Sequence, residues 1–581
     1  MQRPNFPVSS PFEAHQSTLV SYASAPAEIL VGPLLRYVGT TTATVWVETS
    51  AAAEVTILGH RAKTFQVEGH HYALVLVDNL EPASVTSYEV HLNGQSVWPA
   101  DDSRPTPAIR TRAGERQARL VFGSCRVGAP QRHPYTLPPG ADPQGLGVDA
   151  LWAYSRRLQR DDAEWPDALL LLGDQVYADL VPPETAAFIR ARRDVGEPPG
   201  EDVADFEEYT RLYRESWSDP DIRWLLSTVP TTMIFDDHDV SDDWNISESW
   251  VAEMRSLPWW DERITGAFMA YWLYQHIGNL SPPELAEEVL LREVRQDDDA
   301  GPRLRAAARR WDRESAASRW AYYRDFGSSR LLVIDSRAAR VLMDGRREMI
   351  DDEEWDWISE HAHGSFDHLI VATSLPAFAP HGIHHLESWN EAVCDGCWRG
   401  IAARIGERLR RAVDLEHWAA FERSFERIVN LLRAVSCGLG GEAPATITIL
   451  SGDVHTTYVA KIDLGADAGP SRIHQVVCSP FRNPLNPRER RVVRLTGSRI
   501  AATVFATLAR GCGVPAPTAS WRFVSPRTFD NSIGELSLDE RSAKVKLFRS
   551  AQDAHGNLTQ AYSSELAPSV SHAARRQPLN S

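Results

Sequence analysis

Cysteine, basic charge and long apolar runs are all scarce in this sequence. Six cysteines in 581 residues are too few for the disulfide framework of a small secreted scaffold. Lysine and arginine total 61 against 78 aspartates and glutamates, a formal charge of −17. That excess speaks against general affinity for nucleic acid or an anionic membrane, and leaves room for a local basic pocket. No apolar run approaches the roughly 18 residues of a membrane span. Met1 to Gln16 has no basic segment followed by an apolar one, so no signal peptide is legible and a soluble cytoplasmic protein is expected. Internal repeats are missing too, which excludes a solenoid.

What is present points to a layered α/β protein of two or more domains. Residues 1–28 read as a flexible lead-in. Residues 29–112 alternate with period two in runs such as Thr44–Thr49, Glu54–Leu58, Tyr72–Val77 and Ser87–Leu92, the last followed by an Asn93-Gly94 turn. Short strands at this spacing predict a small fibronectin- or immunoglobulin-like β-sandwich, with Asp101–Pro107 as a linker. Across residues 117–569 strand-like runs alternate with helical ones. Helices are predicted at Val148–Arg160, Asp202–Leu226 and Arg303–Arg319, and a helical insertion near 398–434. Residues 570–581 read as a disordered tail.

Four polar clusters each follow an apolar run directly. They are Gly123-Ser124-Cys125, Gly173-Asp174-Gln175-Val176-Tyr177, Asp236-Asp237-His238-Asp239 and Gly452-Asp453-Val454-His455. An apolar run reads as a buried strand and the cluster behind it as a loop at the strand's carboxyl end. Such loops converge where open α/β sheets bind ligands. Singly, each has an ordinary reading: a Gly-Asp turn with a packed tyrosine, a solvated acidic turn, a capping aspartate with a packed histidine, a core cysteine. Together they gather metal-ligating side chains behind four strands. Asp174 can bridge two cations, and a Tyr177 phenolate suits a hard trivalent ion. The crowded carboxylates of 236–239 would repel one another without a cation. His238, kept charged by a neighbouring carboxylate, could protonate a leaving group. Arg126 and Arg337, each behind a strand, could pair with phosphate or form ordinary salt bridges.

This series resembles the PhoD-like alkaline phosphatase/phosphodiesterase family of calcineurin-like metallophosphoesterases. The fold so implied is α/β, a layered metallophosphoesterase β-sandwich flanked by helices, preceded by the fibronectin-like all-β module. The resemblance implies Fe3+ held by Cys125, Asp174, Tyr177 and His455, Ca2+ at a second site with Asp174, Asp237 and Asp453, and His238 as the catalytic histidine. It also implies hydrolysis of phosphate monoesters or diesters by in-line attack of a metal-bound hydroxide. The alternatives are a phospholipid or cyclic-nucleotide phosphodiesterase using the same site, and a non-catalytic phosphate-binding protein. No fourth-motif histidine follows Val371–Pro376. His381-Gly-Ile-His384-His385 offers candidates but reads as an exposed loop. Cys394-x-x-Cys397 lacks a second pair at zinc-site spacing, and both cysteines stay unassigned.

Overall fold

The computed structural model describes residues 26–568 other than 115–116, 161, 344, 399 and 552–555. The lead-in through residue 25 and the tail 570–581 therefore lie outside the described residues.

The all-β region consists mainly of two four-stranded antiparallel sheets. One runs Ile29–Val38, Ala43–Thr49, His70–Val77 and Phe65–Val67; the other runs His60–Lys63, Glu54–Ile57, Val90–Leu92 and Gln95–Trp98. Val45, Val47 and Val75 of the first share a core with Val55, Ile57, Val90 and Leu92 of the second. The alternate face of the first sheet, with Trp46, Tyr72 and Leu74, belongs instead to the main core of the larger region. One period-two pattern thus serves two interfaces. The predicted single strand Ser87–Leu92 is split, because Val85–Ser87 pairs with Ala108–Arg110 while Val90–Leu92 joins the four-stranded sheet. Asn93 and Gly94 both have positive φ, 51° and 85°, as a two-residue hairpin of primed type requires.

A six-stranded and a seven-stranded sheet carry the larger region. Gln117–Gly123, Ala168–Leu172 and Thr231–Ile234 are parallel neighbours in the first. Ser329–Ile334, His368–Thr373, Thr446–Ser451 and Arg472–Val477 are parallel neighbours in the second. The two sheets share a core: Leu331, Val333, Ile370, Ala372 and Leu450 pack in one cluster with Leu120, Phe122, Leu170 and Leu172. The other face of the seven-stranded sheet, through Leu332, Ile334, Leu369, Val371, Ile447 and Ile449, packs on Trp355 and Ile358 of helix Asp352–Ala362 and on Phe425, Ile428 and Leu432 of helix Glu422–Ser436. Both faces are covered, which is why these strands read as continuous apolar runs.

Three predicted elements differ. The helix expected over Asp202–Leu226 is two, Phe206–Trp217 and Pro220–Thr228. Asp219 caps the second and Pro220 takes its first turn, where a missing N–H costs nothing. The exposed Arg/Ala-rich helix spans Gly301–Arg313 and ends before Arg319. His381–His385 is no exposed loop but the start of helix His381–Cys394, with His384 buried on Phe425 and Trp521 at ring distances of 4.9 Å each. Cys397 is disulfide-bonded to Cys512, and Cys394 is a free thiol.

Candidate metal centre

The backbone is strained where three of the four clusters leave their strands. Cys125, Asp174, Asp453 and His455 have φ of 57°, 52°, 62° and 47°, a left-handed conformation costing a non-glycine residue about 1–2 kcal/mol. Hydrogen bonds hold them there. The Cys125 N–H donates to Gly173 O at 3.2 Å and the Arg126 N–H to Asp174 O at 3.0 Å. The Asp453 N–H donates to Ser124 Oγ at 3.1 Å. Asp239 accepts from the N–H groups of Asp174 and Asp236 at 3.0 and 2.9 Å, and from Gln275 Nε2 at 3.2 Å, so it ties the second cluster to the third. A side chain on Gly173 would meet Asp236 Cβ at 2.7 Å, and one on Gly452 would meet Ser124 Oγ at 2.1 Å. Both positions require glycine.

Two donor sets share Asp174, and a third joins Asp237 and His238 to Asp242. Donor atoms of Cys125, Asp174 and His455 lie within 4.8 Å of one another, as do those of Asp174, Asp236, Asp237 and Asp453. The Tyr177 hydroxyl donates to Asp174 Oδ2 at 3.2 Å. Asp174 Oδ1 and Asp236 Oδ2 are buried without hydrogen-bond partners, a costly state for an anion unless a cation faces it. Burial and then the neighbouring carboxylates push Asp174 far above the usual carboxylate range. Burial raises Asp236 likewise, despite Arg337. Burial also holds His455 down at about 4, the neutral form that a metal requires. Sulfur, oxygen and nitrogen donors on one side and mostly oxygen on the other fit two different metal ions.

His238 stands at the edge of this cluster. Its Nδ1 is 2.9 Å from Asp179 Oδ1, and its ring lies 4.5 Å from that of Tyr177. Burial alone would lower its pKa, but Asp237 and Asp179 outweigh it and keep the imidazolium favoured well above 6.5. Beside it lies an acidic rim. Burial, followed by neighbouring carboxylates, pushes Asp243 up to about 9 and Asp414 to about 6. Asp242 reaches about 7, chiefly through burial.

Arg337 is buried inside the oxygen-donor set. Its Nη2 is 2.9 Å from Asp237 Oδ1 and 3.5 Å from Asp453 Oδ1, and its Nε and Nη1 engage Asp236 and Glu416. Arg126 is turned away: its Nε donates to Asp149 at 2.8 Å and its Nη1 to Ser216 O at 2.7 Å. The reading of Arg126 as a phosphate ligand is corrected to a buried structural ion pair. Sequence reasoning also missed His417. Its Nδ1 is fixed by Glu387 at 2.5 Å, while its Nε2, buried and without a hydrogen bond, lies 3.3 Å from Asp453 Oδ2. No apolar strand precedes His417, so nothing in the local pattern marked it. Asp179 lay hidden for a similar reason, two residues beyond the Gly173–Tyr177 motif.

Two packed sheets thus carry a buried, mixed-donor carboxylate centre at their strand ends, the chemistry of a metal site. Residues 149–298 match the family model of the PhoD-like phosphatases, and residues 26–110 match that of a domain of unknown function, DUF7800. Residues 149–298 are thus similar to the PhoD-like phosphatases. The solved structure of PhoD is similar in fold, with a TM-score of 0.55 at 11% identity, covering 94% of this chain and 93% of that one. A purple acid phosphatase, PPD1, from yellow lupin (Lupinus luteus) seeds aligns with a TM-score of 0.43 at 11% identity, over 91% of this chain and 73% of that one. No curated protein matches the chain in sequence.

Proposed function

We propose that this protein is a two-metal phosphoesterase that acts on phosphodiesters in preference to dianionic monoesters. The observation that carries the reading is the shared Asp174, which joins two donor sets of different character beside an exposed edge of His238. Cys125, Asp174, Tyr177 and His455 would hold Fe3+. Asp174, Asp236, Asp237 and Asp453, with His417 Nε2 at hand, would hold a hard divalent ion such as Ca2+. In that half the carboxylates of Asp174, Asp236, Asp237 and Asp453 outnumber the guanidinium of Arg337, an excess of negative charge that favours a divalent cation. Metals so bound would acidify a water and neutralise charge on the phosphoryl oxygens.

The chain's own residues do the rest. Asp179 fixes the His238 ring through Nδ1 and keeps it protonated, so Nε2 can deliver a proton to the leaving alkoxide. Arg337 is held by carboxylates and acts as a fixed counter-charge, not as a free phosphate clamp. At alkaline pH, once Asp243 ionises above about 9, Asp242, Asp243 and Asp414 set negative charge beside His238, which opposes a dianionic monoester more than a monoanionic diester. Hydrolysis of bis-p-nitrophenyl phosphate and p-nitrophenyl phosphate, with and without chelator, tests the reading. The expected result is chelator-sensitive turnover with the diester faster. Turnover of neither ester by protein holding stoichiometric metal would refute it.

A further inference from the structure

Helices Pro487–Thr496 and Arg499–Gly511 expose an unusual amount of apolar side chain. Val492, Leu495, Ile500 and Val504 are 56%, 70%, 79% and 50% exposed. The first helix buries no residue and the second only Ala509. The apolar surface continues sideways: Phe505 lies 6.1 Å from Trp389, which lies 5.4 Å from Trp398, itself 48% exposed. Ile401 and Ile405 are exposed on the neighbouring helix Ile401–Ala412. The pair is anchored, because a side chain at Gly382 would fall 1.9 Å from Thr496 O and Cys512 is bonded to Cys397.

Arginines flank these side chains. Residues 487–511 contain Arg488, Arg490, Arg491, Arg494, Arg499 and Arg510 against one acid, Glu489, whose carboxylate is occupied in capping Asn486. Among the described residues Arg488, Arg491 and Arg499 are exposed and make no ion pair, nor do Arg404 and Arg408 on the neighbouring helix. Apolar side chains bordered by unpaired basic ones are the chemistry of a helix lying in the interface of an anionic bilayer. Neither helix is long enough to span a bilayer by itself. At 1.5 Å per residue the helices are about 15 and 20 Å long, against a hydrocarbon core of about 30 Å, and the pair is bent by 55°.

We propose that the helix pair 487–511 docks this protein on an anionic phospholipid surface. The overall charge of −17 argues against indiscriminate membrane affinity. Only charges within about 8–10 Å of the lipid act strongly at physiological salt, and on helices Pro487–Thr496, Arg499–Gly511 and Ile401–Ala412 arginines outnumber acids. Docking also brings the metal centre close to the bilayer. The Asn483 side chain lies within interaction range of Tyr177, and Asn483 lies four residues, at most about 14 Å of chain, before Pro487.

Co-sedimentation with vesicles tests this independently of the metal centre. The full-length protein is expected to pellet with mixed phosphatidylcholine–phosphatidylglycerol vesicles, not with phosphatidylcholine alone, and less at raised salt. Arg488→Glu/Arg491→Glu should lower partitioning by more than about tenfold, as expected for basic residues near an anionic surface, and Leu495→Asp/Ile500→Asp should abolish it. Both double variants should hydrolyse soluble p-nitrophenyl esters like the parent. Failure to pellet with the mixed vesicles would overturn the proposal, as would undiminished binding by either variant. Self-association lost in Leu495→Asp/Ile500→Asp without vesicle binding would assign the surface to a second copy of the chain.

Discussion

Replacing Arg337 with leucine removes the guanidinium that bridges Asp236, Asp237, Glu416 and Asp453 and leaves Glu416 only its contact with Arg340. Those carboxylates have been taken out of water, and Asp236 already retains an oxygen without a partner. Breaking a buried ion pair by removing one member costs about 3–5 kcal/mol. Across residues 117–569 an unfolding entropy of about 2.1 cal/mol/K per residue makes each kcal/mol worth about 1 °C of Tm, so metal-stripped Arg337→Leu should melt roughly 3–5 °C below the parent. The same uncompensated carboxylates should then hold a cation more tightly. A Ca2+ titration followed by thermal unfolding should raise the Tm of the variant more than that of the parent, because stabilisation grows with the ratio of free ligand to Kd. A stripped variant that melts with the parent, or an equal gain from Ca2+ in both, would refute the placement of Arg337 as counter-charge within the metal site.

Two further expectations follow from single contacts. His238→Ala should slow diester hydrolysis by about 10²–10⁴-fold with metal content unchanged by elemental analysis; loss of both would make His238 a ligand. His70 bridges the all-β region and helix Phe206–Trp217, with Nδ1 3.0 Å from Glu48 and Nε2 2.9 Å from Glu207. Burial alone would lower its pKa, but the hydrogen bonds to Glu207 and Glu48 raise it from 6.5 to about 9. This contribution is complete below pH 6.5 and disappears as pH rises through about 9. It is at most ~3 kcal/mol, less solvent screening at the exposed Glu207. His70→Gln should therefore lose Tm relative to the parent most at low pH and converge with it near pH 9–10; curves that stay parallel would contradict the latch.

The parts of the fold legible in the sequence were those in which one residue's surroundings repeat along the chain. Leu169 to Leu172 are buried on both faces of a parallel sheet, so the run announces a strand without knowledge of its partners. The cluster residues were legible because each stands directly behind such a run. His417, Glu416 and Asp179 reach the same place from segments without that punctuation. Arg337 does follow a strand, yet only tertiary structure shows its fork closed on carboxylates. Arg126 illustrates the converse, an arginine beside a candidate ligand whose guanidinium points to Asp149. In His381–His385, packing of His384 on Phe425 and Trp521 overrides a polar, glycine-containing sequence that by itself suggests a loop.

Anomalous diffraction from crystals of the purified protein at the iron absorption edge bears most directly on the central claim. The account predicts a peak bounded by Cys125 Sγ, Asp174, Tyr177 and His455, and second-site density among Asp174, Asp236, Asp237 and Asp453 with no iron signal. An iron-edge peak lying elsewhere, or no metal density among these residues in active protein, would contradict it.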